Sequence, residues 1–305
     1  MRLRSSKLML LLSTALCGAL AAGCANTSGT GGGDNTSDTG GGGGGGNDAA
    51  SGSDGASGGD GTSGGDTGGS GQVVSIQEMQ EEMEKLDCTK FSFTNGPKGV
   101  KLENVVLASP IQFKAIKSKN GDRDAVYVQE KGGGLWKGMY VTAPNGGELG
   151  KLKTGAVVTL EGDVKDYYCA TQFDAKVISP VADATELPVA TTITLDKLGD
   201  KAAETDNEAA ESVLISIENV VVSDNEPLGT DGKPHGEFYV GKDKTDKSVL
   251  IAPGFSTTFS KQGDDGNYRA IFEVGKEFKS IRGVVTYSFG KWRLIPVGDA
   301  GLDAK

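Results

Sequence analysis

From Val73 onward the chain alternates short apolar runs with turn residues, and it does so through one cycle and then a second. In the first cycle Ser75 and Glu78 have the spacing of a capping box, and Ile76, Met79, Met83 and Leu86 recur at helical intervals, which predicts a short amphipathic helix over 75–86. Val100–Ala108, Ala125–Gln129, Met139–Thr142, Ala156–Val164 and Thr171–Ile178 are rich in Val, Tyr, Phe and Ile and are bounded by Gly, Pro, Asn and Asp. These runs read as strands. The second cycle offers Ser212–Val222, Glu237–Gly241, Ser248–Ile251, Glu277–Tyr287 and Lys291–Pro296 in the same order. Five strands of this size joined by short turns close into a small barrel.

The cycles are copies. Glu103-Asn104-Val105-Val106 returns as Glu218-Asn219-Val220-Val221, Tyr127-Val128 as Tyr239-Val240, and Gly162-Asp163-Val164 as Gly283-Val284-Val285, with Val74–Met79 answered by Ile193–Leu198. Matched pieces in one order mark a duplicated domain. The boundary falls near Asp183–Pro188, giving domains over 73–184 and 185–305.

The lead-in Ser75–Met79, the Val100–Leu107 strand, the Ala125–Gly134 strand and turn, and the Leu152–Tyr168 segment resemble bacterial secreted, lipid-anchored proteins that carry tandem OB-fold-like domains. The resemblance implies an all-β chain of two five-stranded OB-fold-like barrels, with a short N-terminal helix and a disordered Gly-rich linker. The second copy departs from it. Phe238–Lys247 lacks the triple glycine that ends the equivalent run of the first copy, and Pro253–Ala270 is a long polar insertion.

Composition separates the N-terminal part from this payload. Arg2, Arg4 and Lys7 precede an apolar run over Leu8–Leu20 and the small residues Ala21, Ala22 and Gly23, the order of a secretion signal. Leu20–Cys24 resembles a bacterial lipobox, which implies cleavage before Cys24 and lipid on its sulfur, so residues 1–24 are the signal segment. Ala25 in place of an aspartate favours the outer membrane in that family. Of the 48 glycines, 21 lie in residues 25–72, where no large apolar residue occurs. Such a stretch cannot bury enough surface to offset its ordering entropy and reads as a disordered tether. From Val73 on there are 28 basic and 35 acidic residues, net −7, a sign that disfavours nucleic acid as partner.

Candidate chemistry is sparse. His235 is the single histidine, so no triad or His-rich metal site assembles within one chain, and the residues suggest no catalytic group, metal or cofactor. Two loops, Asn120–Asp124 and Gly263–Asn267, carry short oxygen-bearing side chains but miss a calcium-loop pattern. With Cys17 removed and Cys24 lipidated, Cys88 and Cys169 remain as an even pair in an exported protein, and a disulfide is expected. The binding candidates are Tyr127, Trp136 and Tyr140, on strands of the usual OB ligand face where flat rings stack. For Tyr127 and Trp292 barrel filling is the favoured reading. The expectation is a non-enzymatic lipoprotein of the cell envelope, anchored by its N-terminal lipid, that binds or scaffolds an envelope protein. The alternatives are an oligosaccharide or peptidoglycan module and an accessory module of a secreted nuclease or phosphoesterase system.

Overall fold

In the computed structural model, which describes residues 71–85, 94–117, 121–167, 170–184, 188–255 and 258–305, the first copy starts with strand β1 (Gln72–Val73) and helix α1 (Ile76–Glu84). The signal segment and nearly all of the tether lie outside the described residues, as do Leu86, Cys88 and Cys169. The predicted cap is present: the Ser75 hydroxyl accepts the Glu78 N–H at 3.2 Å and Glu78 accepts the Ser75 N–H at 2.9 Å. That second bond holds the Glu78 carboxyl below the ordinary range. Ile76, Met79 and Met83 are buried and close one end of the barrel beneath them.

After β2 (Thr94–Asn95) come β3 (Val100–Leu107), β4 (Gln112–Ile116), β5 (Arg123–Glu130), β6 (Gly138–Pro144), β7 (Val157–Tyr167) and β8 (Ala170–Ala182). β3 pairs with β5, β5 with β6, β6 in parallel with β8, β8 with β7, and β7 returns to β3. The circuit is a closed five-strand barrel of the OB order. Its interior is filled by alternate residues such as Leu102, Val126, Val128, Met139, Leu160 and Phe173.

The second copy has β9 (Thr191–Thr192), α2 (Glu204–Ala210), β10 (Leu214–Asp224), β11 (Phe238–Gly241), β12 (Val249–Ile251), the hairpin β13 (Ser260–Gln262) and β14 (Tyr268–Ala270), then β15 (Glu277–Ser288), β16 (Lys291–Pro296) and β17 (Leu302–Ala304). β10 pairs with β11, β11 with β12, β12 in parallel with β16, β16 with β15, and β15 with β10. Both copies also begin alike, because β1 runs parallel to β3 and β9 runs parallel to β10.

The repeated Glu-Asn-Val-Val motif has a backbone explanation. Asn104 and Asn219 have φ of 54° and 53°, a left-handed conformation that Asn tolerates better than other residues with a Cβ. The polar insertion of the second copy does more than the sequence suggests. Phe272, which follows it, packs at 5.2 Å from both Phe238 and Phe278, and Phe259 is buried beside it, so the insertion carries rings onto the core. Trp292 is buried in that same core, the barrel-filling place expected of it.

Candidate functional site

Because side chains alternate along a strand, the outward residues of neighbouring strands fall into rows. In the first copy Tyr127 of β5 pairs with Tyr140 of β6, Tyr140 with Gln172 of β8, and Gln172 with Lys165 of β7. The two rings are 4.8 Å apart and tilted. Beside this row Lys165 donates to Asp174 at 2.6 Å, and Arg123 binds the other oxygen of Asp174 while also reaching Thr142. This cluster counts two cations against one carboxylate. Partial burial pulls the Arg123 guanidinium below its ordinary value, and it does the same to Lys165, helped by the charge of Arg123.

The second copy repeats the row with other residues. Tyr239 of β11 pairs with Leu250 of β12, Leu250 with Arg293 of β16, and Arg293 with Thr286 of β15. Arg293 donates to Glu237 at 2.6 Å and to the Ser288 hydroxyl at 3.1 Å, and its guanidinium lies 5.7 Å from the centre of the Phe289 ring. Lys291 lies 5.6 Å from the centre of the Tyr239 ring and donates to its hydroxyl at 3.2 Å. Phe289 and Gly290 form the two-residue tip of the β15–β16 hairpin, both at positive φ, and Phe289 is 65% exposed. A bulky residue in the left-handed region costs on the order of 1 kcal/mol or more.

The rows meet at a seam between the copies. Tyr127 is only 5% exposed, yet it belongs to a cluster with Leu214, Val284 and Ile295 of the second copy rather than to the interior of its own barrel. Phe255 stands edge-on to the Tyr127 ring at 6.1 Å. Burial pushes the Tyr127 phenol up to about 12 and raises that of Tyr140 as well. Backbone interlocks complete the seam. The Gln129 amide oxygen accepts the Leu214 N–H at 2.8 Å, the Trp136 N–H donates to the Ala209 carbonyl at 2.6 Å, and the Gly134 N–H donates to the Thr191 hydroxyl at 3.0 Å. A Cβ on Gly138 would stand 2.1 Å from the Ser212 carbonyl oxygen, so the two main chains are flush there.

Tyr127, Trp136 and Tyr140 are therefore on one region of the molecule, but that region is where the second copy docks. Tyr127 is enclosed, Tyr140 and Trp136 are half-buried, and Trp136 holds a left-handed backbone at φ 66° through its bond to Ala209. Sequence reasoning passed over Phe289, Lys291 and Arg293. The signal was present: a hairpin tip reading Phe-Gly, where Asn-Gly is the favoured pair, flanked by two cations.

Other candidates are already occupied. Asp124 is fully buried and accepts the Lys114 N–H at 2.9 Å and the Asn145 amide at 2.6 Å, and Asp265 holds Arg269 through both oxygens at 2.8 Å. His235 meets Asp231 at 3.0 Å on an exposed loop. Among the described residues no group of three His, Cys, Asp or Glu side chains is placed to hold a metal. A shallow groove of about 600 Å³ on the second copy, lined by Thr192, Glu218, Asn219, Lys242 and Asp246 among others, contains no aromatic side chain.

No family model matches the chain, and a search of curated proteins finds no relative. Solved structures of similar fold include the Ifi202 HINa domain in complex with 20bp dsDNA (12% identity, 67% of this chain and 94% of that one, TM-score 0.32). Others are the p204 HINb domain (14%, 67% and 94%, 0.25) and a deletion mutant of the single-stranded DNA binding protein from Thermus aquaticus (11%, 69% and 95%, 0.20). At these identities the likeness concerns the fold alone. The expectation that nucleic acid is disfavoured as a partner is corrected by what two of these proteins are: the Ifi202 domain was solved with dsDNA, and the Thermus aquaticus protein is a single-stranded DNA binding protein. The physical fault in that expectation was to let a net charge summed over the chain stand for the charge of one face.

Proposed function

We propose that the chain is a lipid-anchored, non-enzymatic binding module in which both sheets are OB-type barrels, and that its ligand is single-stranded nucleic acid held on the outer face of the second barrel. The observation that carries this reading is the grouping of Phe289, Arg293, Lys291 and Tyr239 on the strands and hairpin tip that form an OB ligand face. One exposed ring, Phe289, beside cations suits a polymer that alternates flat bases with phosphates, and a stacked base contributes about 1–3 kcal/mol. The first barrel has the same framework, but its ring pair is spent on docking.

Anisotropy of labelled oligothymidylate with the purified protein tests this. Phe289→Ala is expected to weaken binding about tenfold with the melting temperature kept, and log affinity to fall with log salt at a slope of roughly −0.7 per phosphate neutralised. Equal binding by wild type and variant, or preference for a neutral glycan over the oligonucleotide, overturns the reading. The anchor is checked separately: Cys24→Ser is expected to move the protein from the membrane fraction to the soluble one, and retention in the membrane removes the lipid from the proposal.

A further inference from the structure

We propose that Arg293 is a positioning residue, which clamps the β15–β16 hairpin so that the Phe289 ring stands out to the ligand, and that the phosphate contact falls to Lys291. The proposal rests on the binding reading above and deepens it by giving the members of one cluster separate tasks. Burial makes the division. Phe289 is 65% exposed and Arg293 only 8%, and the Glu237 side chain is almost as covered as that of Arg293. A guanidinium so enclosed has little surface to give to a polymer.

The donors of Arg293 are committed to the protein. Nε donates to Glu237 at 2.6 Å, and Nη1 donates to the Ser288 carbonyl, to the Ser288 hydroxyl at 3.1 Å and to the Lys291 carbonyl at 3.3 Å. Ser288 and Lys291 are the paired residues on either side of the Phe289–Gly290 tip, so one guanidinium brackets the turn from both strands. The bracket has strain to resist, because Phe289 holds a left-handed backbone at φ 48°. The same guanidinium lies 5.7 Å from the centre of the Phe289 ring and attracts it, which seats the ring before a base arrives and lowers the ordering cost of binding. Lys291 is placed differently. It is half-buried rather than enclosed, its ammonium donates to the Tyr239 hydroxyl at 3.2 Å, and no carboxylate pairs with it among the described residues. An ammonium has three donors, so Lys291 can hold Tyr239 and still meet the phosphate beside a base stacked on Phe289.

Anisotropy of labelled oligothymidylate at several salt concentrations, with the melting temperature followed for each protein, separates these tasks. Lys291→Gln is expected to weaken binding about fivefold at low salt and to make the slope of log affinity against log salt shallower by roughly 0.7, the share of one phosphate. Glu237→Gln loosens the clamp and removes no cation, so it is expected to weaken binding about threefold with the slope unchanged, and to add nothing once Phe289→Ala is present, because the clamp acts through the ring. Should Glu237→Gln fail to fold, Arg293→Lys, which keeps the charge and gives up the fork that brackets both carbonyls, carries the same expectations. Tighter binding with a steeper slope in Glu237→Gln would show a released guanidinium taking a phosphate, and it overturns the positioning role. Unchanged affinity in that variant, or a loss that simply adds to that of Phe289→Ala, overturns it too. An unchanged slope in Lys291→Gln overturns the phosphate assignment. A wild-type protein that binds no oligonucleotide removes the binding reading itself, and this inference with it.

Discussion

The two copies share a strand order, a parallel lead-in and an asparagine in the left-handed region, and they differ most in one turn. In the first copy the β5–β6 connection contains Gly132, Gly133 and Gly134, all at positive φ, and it seats against the second copy: a Cβ on Gly133 would stand 2.7 Å from the Val189 carbonyl oxygen. The β11–β12 connection of the second copy is Lys242–Lys247, whose charges are taken up locally, Asp246 with Lys201 at 2.5 Å and Lys247 with Asp224 at 2.6 Å. Gln129, which binds the next copy, is answered by Gly241, and Gly138, flush with the next copy, is answered by Ser248, whose hydroxyl donates to Asp246. The second copy carries a charged turn where the first has a docking turn.

The largest expected effect comes from blocking that docking. Gly138→Ala forces a Cβ onto the Ser212 and Val213 main chain, where nothing flexible can give, and is expected to cost about 3 kcal/mol. Calorimetry should show a single melt dividing into two as the copies uncouple. Gly132→Ala lies in the same turn and meets nothing within 4 Å, so it carries only the left-handed strain of about 1 kcal/mol and should keep one melt. Equal behaviour of the two variants would show that the seam does not couple the copies.

This seam marks the limit of what the chain's pattern discloses. All five strands of the first barrel and the five matching strands of the second copy coincide with apolar runs, because each is short, β-branched and closed by turn residues, and the Ser75 cap coincides with its spacing. Tyr127, expected to fill its barrel, instead lies on the outward face paired with Tyr140. That a second copy covers them leaves no periodic trace, since the contact joins residues far apart in sequence and uses glycines and main-chain groups. β4, with Phe113 exposed and Lys114 at φ 53°, and α2, with no apolar stripe, were missed for the same reason: their residues do not alternate. In the second copy the residues of the matching row differ from their counterparts, Leu250 for Tyr140 and Arg293 for Gln172, so matching the copies does not point to the Phe289 tip.

A smaller effect sharpens the contrast between the covered face and the open one. In the folded state the neutral Tyr127 phenol is favoured, with its pKa pushed up to about 12 by burial. Between pH about 10 and about 12 the folded chain keeps a proton that the unfolded chain has released. The stability from this group is therefore complete below pH about 10 and declines by roughly 2–3 kcal/mol as pH rises to about 12. Denaturant titrations across that range, run on wild type and on Tyr127→Phe, should show a smaller decline in the variant, the part that remains belonging to the buried Tyr140. An identical alkaline loss in the variant would assign it to other groups and would loosen the picture of a dry seam.

The smallest effect concerns the open face, and its sign is informative. Phe289 and Gly290 link Ser288 to Lys291 as a two-residue hairpin turn with φ of 48° and 74°, the geometry that Asn-Gly satisfies without strain. A folded chain chosen for stability alone would not keep an exposed phenylalanine there. Phe289→Asn is expected to raise stability by about 0.5–1 kcal/mol and to weaken oligonucleotide binding at the same time, the trade expected where a strained residue serves a ligand. The competing account is that the ring belongs to the fold, held by its contact with Arg293. In that case the same substitution lowers the melting temperature and leaves binding where it was. The two accounts predict opposite signs in both measurements, so a shift smaller than 1 kcal/mol still decides between them.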